Sequence, residues 1–106
     1  MEVSQAAILV RDSNAFWEGL RSALGLTMSG ITASIFLVET EPSPDQEHPF
    51  EDFIEVMEML QDMGGAVYAT QNPDPGLWEP MQCISLEQIA ENLKSCPLII
   101  PFGVNP

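Results

Sequence analysis

A chain of 106 residues amounts to one domain, 1–106, and buries about two thirds of its unfolded surface, so a single core forms without metal or disulfide staples. Sixteen acids against Arg11, Arg21 and Lys94 give a net charge of −13, a field that repels phosphate backbones and anionic headgroups and so excludes nucleic acid and membrane surfaces as partners. An apolar fraction of 45% is ordinary for a globular protein and argues against disorder.

No apolar run approaches the ~18 residues that span a bilayer, and MEVSQAAILV lacks the basic start of a signal peptide, so a cytoplasmic protein is expected. Cys83 and Cys96 are the two cysteines, without a C-x-x-C, and imply neither a disulfide framework nor a zinc site. Both are expected as free thiols.

In chain order, the continuous apolar run 6–11 reads as a strand covered on both faces. Asp12, Ser13 and Asn14 offer caps for a helix over 15–29, with Phe16, Leu20, Ala23, Leu24, Thr27 and Met28 at helical spacing. A crossover of that length makes the next strand, 31–39, parallel to the first. The acidic loop TEPSPDQEHP follows, kept irregular by three prolines. Pro49 suits the first turn of a helix to about Met63, whose inner side is Phe53, Met57 and Leu60 with Ile54 and Val56 beside it.

That helix carries Glu51, Glu55, Glu58 and Asp62 on its wet side, part of a block of nine acids between Glu39 and Asp62 that contains no Lys or Arg. The stripe destabilises its helix mildly and would steer a basic protein partner, although a solvated face or a salty environment explains it too. Gly64 and Gly65 end the helix, 66–70 is the third strand, and Gln71–Pro80 is too broken by proline for more than one turn, at PGLWE. MQCIS, 81–85, is a short edge strand. Ser85 and Gln88 form a capping box for a helix over 86–95, with Leu86, Ile89, Ala90 and Leu93 inward. LIIPF, 98–102, is the fifth strand, placed at an edge by Pro101. The sum is a three-layer α/β/α sandwich on a five-stranded parallel sheet, with its chemistry expected at the loop beginning at Thr70.

Three stretches in this order resemble the DsrE/DsrF family of sulfur-relay proteins, to which the TusBCD-type subunits belong. AFWEGLRSALGLTMSGITASIFLVE is similar to the family's first helix and second strand, with their Ala-Leu-Gly-Leu pattern. MLQDMGGAVYATQNPDPGLW and ISLEQIAENLKSCPLIIPFG complete the match, which runs from Ala6 to Gly103. Active members of the family carry persulfide sulfur on a cysteine just after the third strand, in a pattern like Val-Tyr-Ala-Cys. VYAT puts Thr70 there, and a hydroxyl cannot accept and release sulfane sulfur as a thiolate does. The resemblance therefore implies a binding or supporting subunit, homo- or hetero-oligomeric, whose Thr70 loop and acidic helix meet a sulfur-relay protein. Thr70, Gln71, Trp78, Glu51, Glu55 and Glu58 are the candidate partner contacts, and no cofactor or metal is implied.

The alternative is a sulfurtransferase with its carrier thiol relocated to Cys83. Alternation of Met81, Cys83 and Ser85 against Gln82 and Ile84 leaves the direction of Cys83 open, and a strand cysteine is most simply an inert buried thiol. Cys96 begins the fifth strand, at the opposite pole from Thr70. His48 lacks a G-x-S-x-G nucleophile to serve and reads as a loop or cap residue. DQEHPFED has no glycine at the sixth calcium-loop position and Val56 at the twelfth, counted from Asp45. RDSNAF after the first strand is not a phosphate loop, although Arg11 beside a helix N-terminus could hold a small anion or pair with Asp12. Trp17, on the helix side opposite Leu20 and Leu24, and Trp78 suggest a subunit interface, with core packing an equal account of Trp17. A small-molecule crevice at the carboxyl ends of the strands is the third class of function left open.

Overall fold

The computed structural model describes residues 4–44, 47–72, 74 and 76–102. Asp45, Pro73, Pro75 and Gly103, which figure in the sequence reading, lie outside that set. Strand β1 is Gln5–Val10, helix α1 Phe16–Met28, β2 Thr32–Leu37, α2 Phe50–Asp62, β3 Val67–Ala69, β4 Gln82–Cys83, α3 Leu86–Lys94 and β5 Ile99–Phe102. The sheet order is β4-β3-β2-β1-β5 and every neighbouring pair is parallel. The expected three-layer architecture is what the chain adopts, and both strands expected at edges are there.

Alternation along the strands decides which helix covers which face. Ala6, Ile8 and Val10 of β1 and Ala33, Ile35 and Leu37 of β2 point to α1 and α2, where they meet Phe16, Leu20, Ala23, Phe53, Met57 and Leu60. Ala7 and Phe36 point the other way, to Ile89 of α3, with Leu9, Val38, Tyr68, Ile84 and Leu93 around them. The central strands are therefore covered on both faces, fully on the α1/α2 side and partly on the α3 side, which is why β1 reads as an unbroken apolar run. Phe16 and Phe53 are fully buried with ring centroids 5.4 Å apart, each contributing about 1.5–3 kcal/mol by leaving water.

The local signals act as the residue types require. Asp12 caps a short 3₁₀ turn, Ser13–Ala15, by accepting from the Asn14 N–H at 2.9 Å, and α1 grows from that turn. Ser85 and Gln88 form the reciprocal capping box, at 2.8 and 3.1 Å. Gly64 ends α2 with φ 98°, and at Gly65 a Cβ would collide with the Ala33 carbonyl, so only glycine lets β3 start this close to β2.

Two expectations need correction, and His48 gains a contact. Leu86 and Ala90 of α3 are exposed, and only Ile89 of that helix is buried. A nine-residue helix crossing from β4 at one edge to β5 at the other touches the sheet along one narrow line. His48 lies in the loop before α2, as expected, and is half-buried there, stacked on Trp17 with centroids 4.2 Å apart. Trp78 is buried as well, with 3% of its surface exposed, on the α1/α2 face. It packs 4.9 Å from Phe50 and 6.0 Å from Phe16, so it serves the core and not a subunit interface.

Candidate functional site at the carboxyl edge

The exits of β3 and β4 diverge. From β3 the chain passes to the α1/α2 face, where Trp78 is inserted, and from β4 it passes to α3 on the opposite face. Adjacent parallel strands whose connections part to opposite faces open a crevice at their carboxyl ends, the usual place for a site in such sheets. Thr70 and Cys83 stand at those two carboxyl ends, in contact through the Cys83 sulfur and the Thr70 carbonyl.

Each polar group of Thr70 has a partner. Its N–H donates to the Leu37 carbonyl at 3.0 Å, its Oγ1 accepts from the Glu39 N–H at 2.8 Å, and its carbonyl receives the Cys83 thiol at 3.8 Å. The hydroxyl bond is the informative one. Glu39 has φ 56°, a left-handed conformation unusual for a residue with a side chain, and the Thr70 hydroxyl fastens it there. The residue at the position of the resemblance's cysteine is thus occupied as a brace between the loops that leave β2 and β3.

Cys83 is exposed, against the simpler expectation of a buried thiol. Its strand is two residues long, paired to Tyr68 and Ala69, so the outer side of β4 has no neighbouring strand to cover it. The cation on the same edge, Arg11, follows β1, three strand spacings or roughly 14 Å from β4. Gln71 is exposed beside Thr70, and Asn72 holds the turn by accepting from the Asp74 N–H at 3.3 Å while its buried Nδ2 has no partner among the described residues. Cys96 is half-buried at the other pole, donating to the Leu98 carbonyl at 3.3 Å. It borders a polar recess of about 180 Å³ at the amino ends of β1 and β2.

Glu51, Glu55, Glu58 and Asp62 are all exposed and border one shallow groove on α2, with Phe50, Ile54 and Met59 between and beside them. Met59 and Met63, one turn apart, are each about two fifths exposed, at 41% and 42%. The structure therefore brings Thr70, Gln71 and Cys83 together, sets the three glutamates apart on α2, and removes Trp78 to the interior. Among the described residues no group of three His, Cys, Asp or Glu side chains is placed to hold a metal ion, and no helix is long and apolar enough to cross a membrane.

No family model matches the sequence, and no curated protein matches it. Among solved structures it is similar to the ychN protein of E. coli, with a TM-score of 0.64 and 17% identity over 92% of this chain and 99% of that one. The order of elements is shared along almost the whole of both chains. The fold is DsrE/DsrF-like. At 17% identity the likeness carries the architecture alone, and the DsrE/DsrF-like fold is as far as it reaches. What sequence reasoning missed is Glu39: a left-handed glutamate has no composition signal, because its conformation is imposed by a hydroxyl 31 residues away.

Proposed function

We propose that this DsrE-like chain is a non-catalytic, oligomeric binding or supporting subunit of a sulfur-relay system, working in the cytoplasm. The observation that carries the reading is the brace at Thr70, whose hydroxyl is committed to the Glu39 N–H at the position where the family resemblance sets a cysteine. A side chain that holds two loops together preserves the shape of a sulfur-handling surface without its chemistry. Gln71 and the exposed glutamates of α2 offer the contacts for a protein partner, and the chain's net charge of −13 favours a basic surface on that partner.

A second reading rests on Cys83, exposed on the strand next to Thr70 with its sulfur 3.8 Å from the Thr70 carbonyl. In that reading the Cys83 thiolate attacks the sulfane sulfur of a donor such as thiosulfate. A persulfide S–S bond forms and sulfite leaves with the electron pair of the broken bond. Incubation with polysulfide or thiosulfate followed by intact-mass measurement separates the two. The subunit reading expects no adduct while a cysteine-bearing relative loads under the same conditions. A gain of ~32 Da that vanishes in Cys83→Ser overturns it in favour of the relocated carrier, because loading follows thiolate character and access.

A further inference from the structure

We propose that the cleft between α3 and the carboxyl ends of β1 and β2 binds a free α-amino acid with a branched apolar side chain, held as its zwitterion. The site is separate from Cys83 and from the acidic face of α2, and it stands independently of the subunit reading. It has a volume of about 290 Å³, at the small end of ligand pockets and suited to a compact metabolite. Leu9, Val38, Leu86, Ile89 and Leu93 form its apolar wall, and Arg11 and Glu39 line it beside them.

The wall has a cause in the fold. One short helix covers this face of a five-stranded sheet, so Leu86 stays 52% exposed and Leu9 and Val38 only half-covered. Apolar surface left in a concave place at the carboxyl end of a parallel sheet is cheap to cover with an apolar side chain.

The two charges select the ligand. Among the described residues Arg11 forms no ion pair, although it is one of three cations in a chain with sixteen acids. Its neighbour Asp12 is occupied in capping the 3₁₀ turn. Nor do Arg11 and Glu39 pair with each other, although both line the one cleft. A guanidinium recognises a carboxylate through paired N–H donors, and the Glu39 carboxylate is an acceptor for an ammonium group. The Glu39 backbone is fixed by the Thr70 hydroxyl, so this acceptor starts from a braced position. A simple fatty carboxylate would meet the repulsion of a −13 chain, whereas a zwitterion enters with no net charge.

The test is an amide NMR titration of the intact protein with L-leucine. Alongside it run 4-methylpentanoate, which lacks the amine, 3-methylbutylamine, which lacks the carboxylate, and the variants Arg11→Gln and Glu39→Gln. Both variants change exposed side chains and leave the core intact. Saturable shifts centred on Leu9, Arg11, Val38, Glu39 and Leu86–Leu93 are expected, weakened at least about tenfold by either variant and by loss of either ligand charge. The proposal is overturned by no shift at about 10 mM from leucine, isoleucine and valine, since that concentration exceeds even about 1 mM binding. It is overturned equally by shifts that neither variant changes, or by 4-methylpentanoate binding as well as leucine. None of these outcomes bears on sulfane loading, so the fate of the subunit reading is decided separately.

Discussion

Replacing Thr70 with valine keeps the β-branched shape and removes the hydroxyl that accepts the Glu39 N–H at 2.8 Å. An intramolecular hydrogen bond contributes about 0.5–1.5 kcal/mol net, and an orphaned buried donor costs about 1–3 kcal/mol. Glu39 is exposed, so water can reach the freed N–H and the loss sits near the low end, about 1 kcal/mol. The left-handed backbone limits the loss further. Holding Glu39 at φ 56° costs about 1–2 kcal/mol, part of which is regained when the brace is gone and the loop relaxes. For a chain of this size 1 kcal/mol lowers Tm by about 4–5 °C. Thermal unfolding followed by circular dichroism should place Thr70→Val about 2–4 °C below wild type, less than the full bond would give, and Thr70→Ser within about 1 °C of wild type. Glu39→Gly removes the left-handed strain, so Thr70→Val has none to regain and its penalty should grow in that background, and the double-mutant cycle measures the coupling. A Thr70→Val protein that melts within about 1 °C of wild type would refute the brace and remove the main support for a non-catalytic reading.

Other outcomes follow from the same structure. Phe53→Ala should cost about 3–5 kcal/mol, a large part of the stability of a domain this size, measured by urea unfolding, because Phe53 is fully buried against Phe16, Trp17 and Trp78. Ser85→Ala breaks the capping box and should lose about 1 kcal/mol in the same assay, with α3 loosening first in hydrogen exchange. Thiol titration with a chromogenic disulfide should be biphasic, the fast phase belonging to exposed Cys83 and disappearing in Cys83→Ser, the slow one to half-buried Cys96. Raising salt from about 20 mM to about 500 mM should increase Tm, since screening relieves the repulsion among Glu51, Glu55, Glu58 and Asp62 on α2. A Tm indifferent to salt would mean that the acidic stripe is already neutralised by something bound.

The frame of the fold was legible because its signals are local. The apolar run of β1, the Ser85–Gln88 box, the glycines after α2 and Pro101 in β5 each act within a few residues, and each stands where expected. The resemblance read from the residues agrees with the structural neighbour at the level of fold. The site was only half legible. Thr70 could be set at the carboxyl end of β3, but its role depends on Glu39 across the sheet. Trp78 looked like an interface residue because a large aromatic in a loop reads as surface, yet its indole turns inward onto Phe16, Phe50 and Phe53, which are 25 or more residues away in sequence. The orientation of Cys83 was undecidable from an alternation of five residues, and a strand of only two leaves it exposed.

The β4–α3–β5 segment behaves as a strap across the molecule. Its two strands lie at opposite edges and do not pair with each other, so its ends are four strand spacings, roughly 19 Å, apart. The nine-residue α3 is only about 13 Å long, so the strap must run obliquely, with its flanking loops extended. β4 pairs only with β3 and β5 only with β1, so the strap is anchored at both ends only once β2 has joined those two strands. The expected order of folding has β1–α1–β2–α2–β3 forming first, as consecutive, locally connected units, with the strap closing over it last. Substitutions in α3 should therefore speed unfolding more than they slow folding, and those in α1 the reverse. The part of the chain that borders the proposed amino-acid cleft is also the part held to the sheet through a single fully buried residue, Ile89, so hydrogen exchange should find its amides opening before those of α1 and α2.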